Sequence, residues 1–579
     1  MAVSSSTEAD NATHTANLSE KSAAALGAHD VSDSDGESIK QDGVRQVEAV
    51  TQVWPKSVMY TVFVLLYLVE FTVFLFGYVT SNLEAYITSS FKNHGLLALT
   101  RIVAGIVAGA VKLGIAKYIN IRGRCEGFIV MTSFLVFGII IKAFSKNIST
   151  YAAGNTIYSV GSSGMYYIIE VVLADMTTLP NRMIVYGIWM SPRIAATFGG
   201  PQIAQLYNKN SSFGWAFGTF AIIISALAFP VAVIFIFYER KARKLAVLET
   251  AKEKRPLVQT IKYYLVEFDV VGTLLLILGL CLFVLPTNLA KMAPKGWATP
   301  YIIATMLLGI IFFASFVMWE KFGAKVPFIP FAKMKDRTIM GACLLDLFVF
   351  ISVFSWDTYY FSYLIVVHGL SISMAGYTLN AYSITSTIMA PFVGLGLRFY
   401  GRYYWVAVAG LPFCILGTVL LIHFRQPGVH IAYLVMCQVF HGISGGLWAM
   451  AAPLALMSSV SHQDVAAVIA LKSMFCSIGA ALGFAIAGAL WTNNLPGEIE
   501  KALPDDAKGQ AAELYASIKT QTAHPLGHVI RDAVVEAYGI VQRRMVIAGC
   551  AFLPFIVACV VIWHNRPVPK RAQTKGNVL

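Results

Sequence analysis

Charge is scarce in this chain. Of 579 residues only 13% are Asp, Glu, Lys or Arg, against about a quarter in an ordinary soluble domain, while 57% are hydrophobic. That balance excludes a water-soluble globule. No Gly-x-x-x-x-Gly-Lys-Ser/Thr phosphate loop occurs, nor a polar segment large enough to house one, so ATP-driven machinery is not expected. The eight cysteines, at 125, 281, 343, 414, 437, 476, 550 and 559, form no Cys-x-x-Cys pair and nearly all lie in apolar runs. They are expected to be small core residues, not a disulfide framework or a thiolate cage. No metal site and no cofactor are expected: His524 and His528 have metal-ligand spacing, but Pro525 and Gly527 argue against the helix that would align them. No nucleophile–base pair stands out either, which argues against an enzyme. The formal charge of +13 could suggest nucleic acid, but the basic residues sit in short loops between apolar runs, where they set topology.

What the chain has in abundance is apolar runs of about 20 residues, the length that crosses a bilayer as a helix. Barrel strands would be half as long and alternate in polarity, so a polytopic all-α membrane protein is predicted. Residues 1–52, rich in Ser, Ala, Asp and Glu, read as a disordered cytosolic tail and not a cleaved signal peptide. Fourteen spans are predicted: 57–80, 96–119, 127–145, 150–174, 183–206, 214–237, 268–286, 300–319, 338–366, 373–397, 404–424, 430–457, 465–491 and 545–563. Lys and Arg concentrate in the even-numbered short loops, including ERKARK (239–244), and the bias places both termini in the cytosol.

A weak repeat runs through the chain. KYINIRGRCEGF (117–128) and RFYGRYYW (398–405) each join the second and third helix of a six-helix block through a Gly–Arg pair, Gly123–Arg124 and Gly401–Arg402. The simplest reading is a six-helix half at 53–238, a basic loop at 239–267 and a two-helix insert at 268–320. A second half follows at 338–563 with a long outer loop at 492–544, then a cytosolic tail at 564–579. Repeats of this kind mark secondary transporters, which bind substrate near the midplane between halves and alternate access around it.

The Gly–Arg loop resembles a degraded form of the major facilitator superfamily signature. GVRQVEAVTQVW (43–54), FSWDTYYFSYL (354–364) and RDAVVEAYGIVQRR (531–544) resemble stretches of the fungal siderophore–iron transporter branch of that superfamily. The resemblance covers nearly the whole chain after residue 43. It implies a fourteen-helix major facilitator fold and proton-coupled uptake of ferric siderophores, commonly hydroxamates, across the fungal plasma membrane. An endosomal or vesicular pool is an alternative location, and the working unit is expected to be a monomer. The resemblance also links Tyr538, in EAYGIVQRR, to siderophore handling. Iron would arrive already chelated.

Intramembrane charges give the candidate sites, since a carboxylate at helix centre costs about 2.5–3.5 kcal/mol on insertion scales and needs a partner, water or a purpose. Glu70 and Asp357 occupy the opening helix of each half and are approximate repeat counterparts. With Glu170 and Asp346 they are the candidates for proton coupling. Asp175 and Arg182 read as a loop-side ion pair, and Gly123, Arg124, Arg182, Gly401 and Arg402 as conformational loop residues. Arg101, Lys112 and Lys472 are candidate ion-pair partners; the glycines at 105 and 109 predict close helix packing around Lys112. Arg193 is the candidate for acidic oxygens in the cavity. Tyr67, Tyr78, Tyr166, Tyr167, Trp356, Tyr359, Tyr360, Tyr363 and Tyr382 are candidate substrate contacts, because a flat apolar body with a hydroxyl suits a bulky ligand rich in amides and hydroxamate oxygens.

Two rivals remain at this stage. A fourteen-helix proton-coupled drug exporter carries G-x8-G-x3-G-P-x2-G-G in helix five; here those positions hold Gly187, Ala196, Gly200, Pro201, Ala204 and Gln205, of which three agree. A siderophore-sensing receptor with little transport would need partner-binding segments, for which the 239–262 loop is long enough.

Overall fold

A computed structural model describes residues 55–91, 96–175, 177, 179–244, 256–325, 331–460 and 464–567. The amino-terminal tail with the 43–54 motif, residues 245–255 of the basic loop and 568–579 lie outside the described residues, as do the side chains of Asp175 and Arg182.

The first group of helices is α1 (Lys56–Ser90), α2 (Leu97–Arg122), α3 (Arg124–Ala143), α4 (Ile148–Asp175), α5 (Leu179–Trp189), α6 (Pro192–Asn210) and α7 (Phe213–Lys244). After α8 (Leu257–Glu267), the apolar pair α9 (Val270–Leu289) and α10 (Pro300–Met318) forms the insert. The short α11 (Phe331–Met334) precedes the second group: α12 (Arg337–Asp357), α13 (Tyr360–His368), α14 (Ile372–Tyr400), α15 (Tyr403–Phe424), α16 (Ile431–Ser458) and α17 (Val465–Ala502). Two short pieces, α18 (Ala511–Ala516) and α19 (Ile518–Gln521), lead to α20 (Val529–Cys550) and α21 (Leu553–Val561). Each group packs mainly on itself. The groups meet where α2 lies along α17 and where α5 and α6 lie along α14, while the insert rests against α2 and α17 through α9.

Among the described residues, eleven helices are long and apolar enough to cross a membrane. The predicted spans at 150–174, 183–206 and 373–397 are helical as α4, α5–α6 and α14, but fall outside that group of eleven. Polar residues explain the difference for α14, which carries Asn380, Tyr382 and Ser383 along a cavity that Asn155, Tyr158 and Ser159 of α4 also line.

The two Gly–Arg turns share a positive φ. Gly123 has φ 91°, ψ 168° and Gly401 has φ 65°, ψ 18°, so both Gly–Arg turns need a left-handed residue to reverse the chain within one position. The small-residue prediction for α2 also takes a definite form. A Cβ on Gly109 would lie 2.7 Å from the Ser477 Cβ, and one on Gly105 would touch Ala481 at 3.5 Å, so the glycine face is the contact with α17.

Three helix boundaries differ most from the sequence reading; the first helix, predicted to end at 80, runs to Ser90. The helix predicted to end at 491 runs to Ala502, and the one predicted to begin at 545 begins at Val529, leaving only residues 503–528 between them. Charged residues there, such as Glu498 and Arg544, pair with each other at 3.3 Å on the helix surface and do not end it. The intervening segment caps one side of the bundle: the Ile518 amide donates to Ser89 Oγ at the end of α1.

Candidate functional site

FSWDTYYFSYL contains a break. α12 ends at Asp357, Thr358 and Tyr359 form a turn, and α13 resumes at Tyr360, where one continuous span was predicted. Asp, Thr, Ser and aromatic residues are weak helix formers, and their clustering leaves the turn open to tertiary control. Interrupted helices with a polar group at the break are how transporters place chemistry at mid-membrane.

Asp357, half-buried, opens onto a cavity of about 480 Å³ shared by the two helix groups, within the range of small-molecule sites. The first group contributes Glu84, Arg101, Asn155 and Tyr158; the second contributes Trp356, Asp357, Tyr382, Gln438 and His441. Of the predicted residues, Arg101, Trp356, Asp357 and Tyr382 therefore come together here. Arg101 binds Glu84, its Nε and Nη2 donating to one carboxylate oxygen at 2.8 and 2.6 Å. Glu84 had no place in the sequence reading because the first span was expected to end at 80; α1 continues to Ser90.

Each group also holds a caged cation behind the cavity wall. Lys142, at the end of α3, is fully buried among the rings of Phe76, Tyr151, Tyr158 and Phe217, at 4.8–5.8 Å, and donates to Asn155 Oδ1 at 2.9 Å. Arg425 is the residue that closes α15, and its guanidinium lies 4.0 Å over the Tyr360 ring, with Tyr363 at 5.6 Å and Trp356 at 5.5 Å. Arg425 lies just past the predicted 404–424 span, at the start of the connection to α16. It is fully buried, because the negative end of the α15 dipole and three ring faces hold a cation in place of water. Each such desolvated contact is worth up to about 2 kcal/mol.

The other predicted acids lie in separate clusters. Glu70 is buried, with one carboxylate oxygen lacking a hydrogen-bond partner, and Trp189, Arg193 and Glu170 lie within its electrostatic reach. Arg193 stacks on Phe74 at 4.6 Å, Phe74 stacks on Tyr166 at 5.3 Å, and Tyr67 shares a 2.6 Å hydrogen bond with Ser191. Tyr78 packs its backbone against Gly200, and Tyr167 is core. Asp346 forms a 2.8 Å ion pair with Lys472, whose charge also reaches Glu170 and Lys112. Lys112 was expected to pair with an acid; its Nζ instead donates to the Ser473 carbonyl at 3.4 Å, across the α2–α17 contact.

The remaining aromatic candidates serve the wall and the cap. Tyr360 and Tyr363 wrap Arg425, and Tyr359 stacks on Trp491. Tyr538 is fully buried on α20, its hydroxyl donating to Gln521 Oε1 at 2.7 Å. Arg531, from the same motif, donates to the carbonyls of Ile365 and Val366 at the end of α13 and of His524 in the cap. Burial also pushes the Tyr515 hydroxyl of the cap well above its ordinary pKa. The 531–544 motif thus clamps the cap to the broken helix. At the loop turns, Arg124 is buried against the Ile119 carbonyl and Arg402 is exposed.

Two packed helix groups around a shared cavity in an apolar shell define a helical membrane transporter of the major facilitator type. Its likeness to solved structures agrees in fold: a peptide transporter, POT, in complex with sulfate superposes with a TM-score of 0.54 at 15% identity, covering 90% of this chain and 99% of that one. No family model matches the chain. Curated relatives are far closer: "MFS siderochrome iron transporter 1" of Ajellomyces capsulatus is 45% identical over 94% of this chain and 95% of its own length. "MFS siderochrome iron transporter B" of Aspergillus fumigatus is 38% identical over 93% and 87%, and "Siderophore iron transporter mirB" of Emericella nidulans is 36% identical over 93% and 89%. The chain belongs to the fungal MFS siderochrome iron transporter family.

Proposed function

We propose that this protein imports ferric siderophore chelates of the hydroxamate type, driven by protons, with the two helix groups rocking around the central cavity. The observation that carries the reading is Asp357 at the α12–α13 interruption, facing a cavity walled by aromatic and amide side chains from both groups. A carboxyl on a hinge can exchange its proton as the cavity opens to either side, and a neutral acid crosses the closed state more cheaply than a charged one. Trp356, Tyr382, Asn155 and Gln438 offer the flat faces and amides that suit a chelate whose surface is mostly amide and hydroxamate.

Glu70 is the second coupling acid, facing Arg193 in the first group. Lys112, bonded to the Ser473 carbonyl across the α2–α17 contact, holds the two groups together, with Glu170 and the Asp346–Lys472 pair within its electrostatic reach. Fourteen spans result when α4, α5–α6 and α14 join the eleven apolar helices, with both termini in the cytosol of the plasma membrane and one chain as the working unit.

The test is uptake of radiolabelled ferric hydroxamates by yeast lacking its own siderophore transporters, with and without a protonophore. Protonophore-sensitive accumulation, lost in Asp357→Asn and Glu70→Gln at normal surface expression, is the expected result. Absence of uptake by surface-expressed wild type would overturn the reading.

A further inference from the structure

The two caged cations are repeat counterparts in different states. Each ends the third helix of its group, and each has an amide thirteen residues on: Asn155 follows Lys142 and Gln438 follows Arg425. In the first group the pair is closed, Lys142 bonding Asn155 at 2.9 Å. In the second it is open. Among the described residues, Arg425 Nε, Nη1 and Nη2 have no hydrogen-bond partner, and neither has Gln438 Nε2. A guanidinium fully removed from water with none of its donors paired to protein is costly, and persists where a partner arrives in another state.

The acid that can arrive is Asp357. It directly follows Trp356, one wall of the Arg425 cage, and precedes Tyr360, the ring under the guanidinium, by three residues. Arg425 and Arg101 are the cations whose fields reach it, but no ion pair to Asp357 within 4.0 Å exists among the described residues. Arg101 is already held by Glu84. Between Asp357 and Tyr360 the helix is interrupted at Thr358–Tyr359, with the Tyr359 ring held on Trp491, so the carboxylate of Asp357 lies at a helix end beside the cage.

We propose that Arg425 is the positioning residue for Asp357: a fixed counter-charge, held by Trp356, Tyr360 and Tyr363, onto which the carboxylate closes. The inference rests on the reading of Asp357 as a coupling acid and assigns that acid its partner. In the state described here the pair is open and Asp357 faces the cavity. In the closed state the ionised acid lies against Arg425 and away from substrate. The other charged or titratable groups facing Asp357 are Glu84 from α1, Arg101 from α2, Tyr158 from α4, Tyr382 from α14 and His441 from α16. From α17 the cavity receives Phe484, and from α20 Gln542 donates to the Tyr359 carbonyl at the break. Lys472 of α17 is engaged by Asp346, three turns away along α12.

The test needs no substrate. Purified wild type, D357N, R425M, R425K and the D357N/R425M double variant are melted across roughly pH 5 to 8. Wild type is expected to show a pH-dependent step in Tm that D357N removes. R425M moves the step toward higher pH by about one unit or more, because an opposite charge favours the ionised acid. R425K keeps the step within a fraction of a unit of wild type, and R425M adds no pH-dependent change to D357N. K142M, which opens the other cage, lowers Tm without moving the step. An R425M profile lowered equally at every pH, with its step unmoved, would make Arg425 a structural cage residue only and overturn the proposal. So would a wild-type profile with no step that D357N removes. If wild type melts as expected but imports no ferric chelate, the uptake reading fails while the pairing of Arg425 with Asp357 stands.

Discussion

Tyr359 and Trp491 lie face to face, ring centroids 3.9 Å apart and planes 1° from parallel. Tyr359 is the residue before α13 resumes, and Trp491 also meets Tyr538 edge-on at 5.0 Å. Through the Tyr538–Gln521 hydrogen bond, the broken helix is therefore joined to the 503–528 cap by a continuous run of fully buried side chains. Trp491→Ala is expected to cost about 3–5 kcal/mol, the usual range for emptying a buried large aromatic site. Tyr538→Phe, which strands Gln521, should cost about 1–3 kcal/mol. Melting of purified protein and limited proteolysis within 503–528 read both effects. A Trp491→Ala protein with wild-type melting and a protease-resistant cap would disprove the coupling.

The glycine face of α2 makes a graded prediction. Gly109→Ala places a Cβ 2.7 Å from the Ser477 Cβ, whereas Gly105→Ala meets Ala481 at an ordinary 3.5 Å. Gly109→Ala is expected to lower surface expression and uptake severalfold, with Gly105→Ala near wild type. Adding Ser477→Gly should rescue Gly109→Ala, since the obstructing atom is a Cβ. Failure of that rescue would place the cause outside the α2–α17 contact.

The paired turns differ in what they tolerate. Gly401 is in the left-handed helical region, with nothing within 4 Å of a new Cβ, so Gly401→Asn should fold and transport close to wild type. Gly123, at φ 91° and ψ 168°, is in a region essentially restricted to glycine, and Gly123→Asn should lose most surface protein. Equal expression of the two variants would contradict this backbone argument.

The Glu84–Arg101 pair lies at the cavity edge, with Arg101 close enough for its field to reach Asp357. Removing one partner of a buried pair leaves an uncompensated charge, a loss of about 3–5 kcal/mol. Glu84→Gln and Arg101→Gln should each melt well below wild type, and the double variant should lose clearly less than their sum. Strict additivity in that double-mutant cycle would mean that the two charges act separately.

The sequence by itself determined the class of protein and much of its plan. Apolar run length, the placement of Lys and Arg, and the repeated glycines at 123 and 401 are local quantities, set by the transfer of side chains into lipid and by allowed φ. Asp357 was legible for the same reason, as a carboxylate in an aromatic run that lipid would reject. Tertiary structure alone decided which charges meet. Arg425 reads as a loop residue until three rings from α12 and α13 close over it. Glu84 becomes a partner because α1 continues ten residues past its predicted end. Tyr538 changes from an outer-loop candidate to a buried pin because α20 starts sixteen residues early. Hydropathy records the cost of leaving water one residue at a time, but the partner that offsets this cost is chosen by packing between helices distant in sequence.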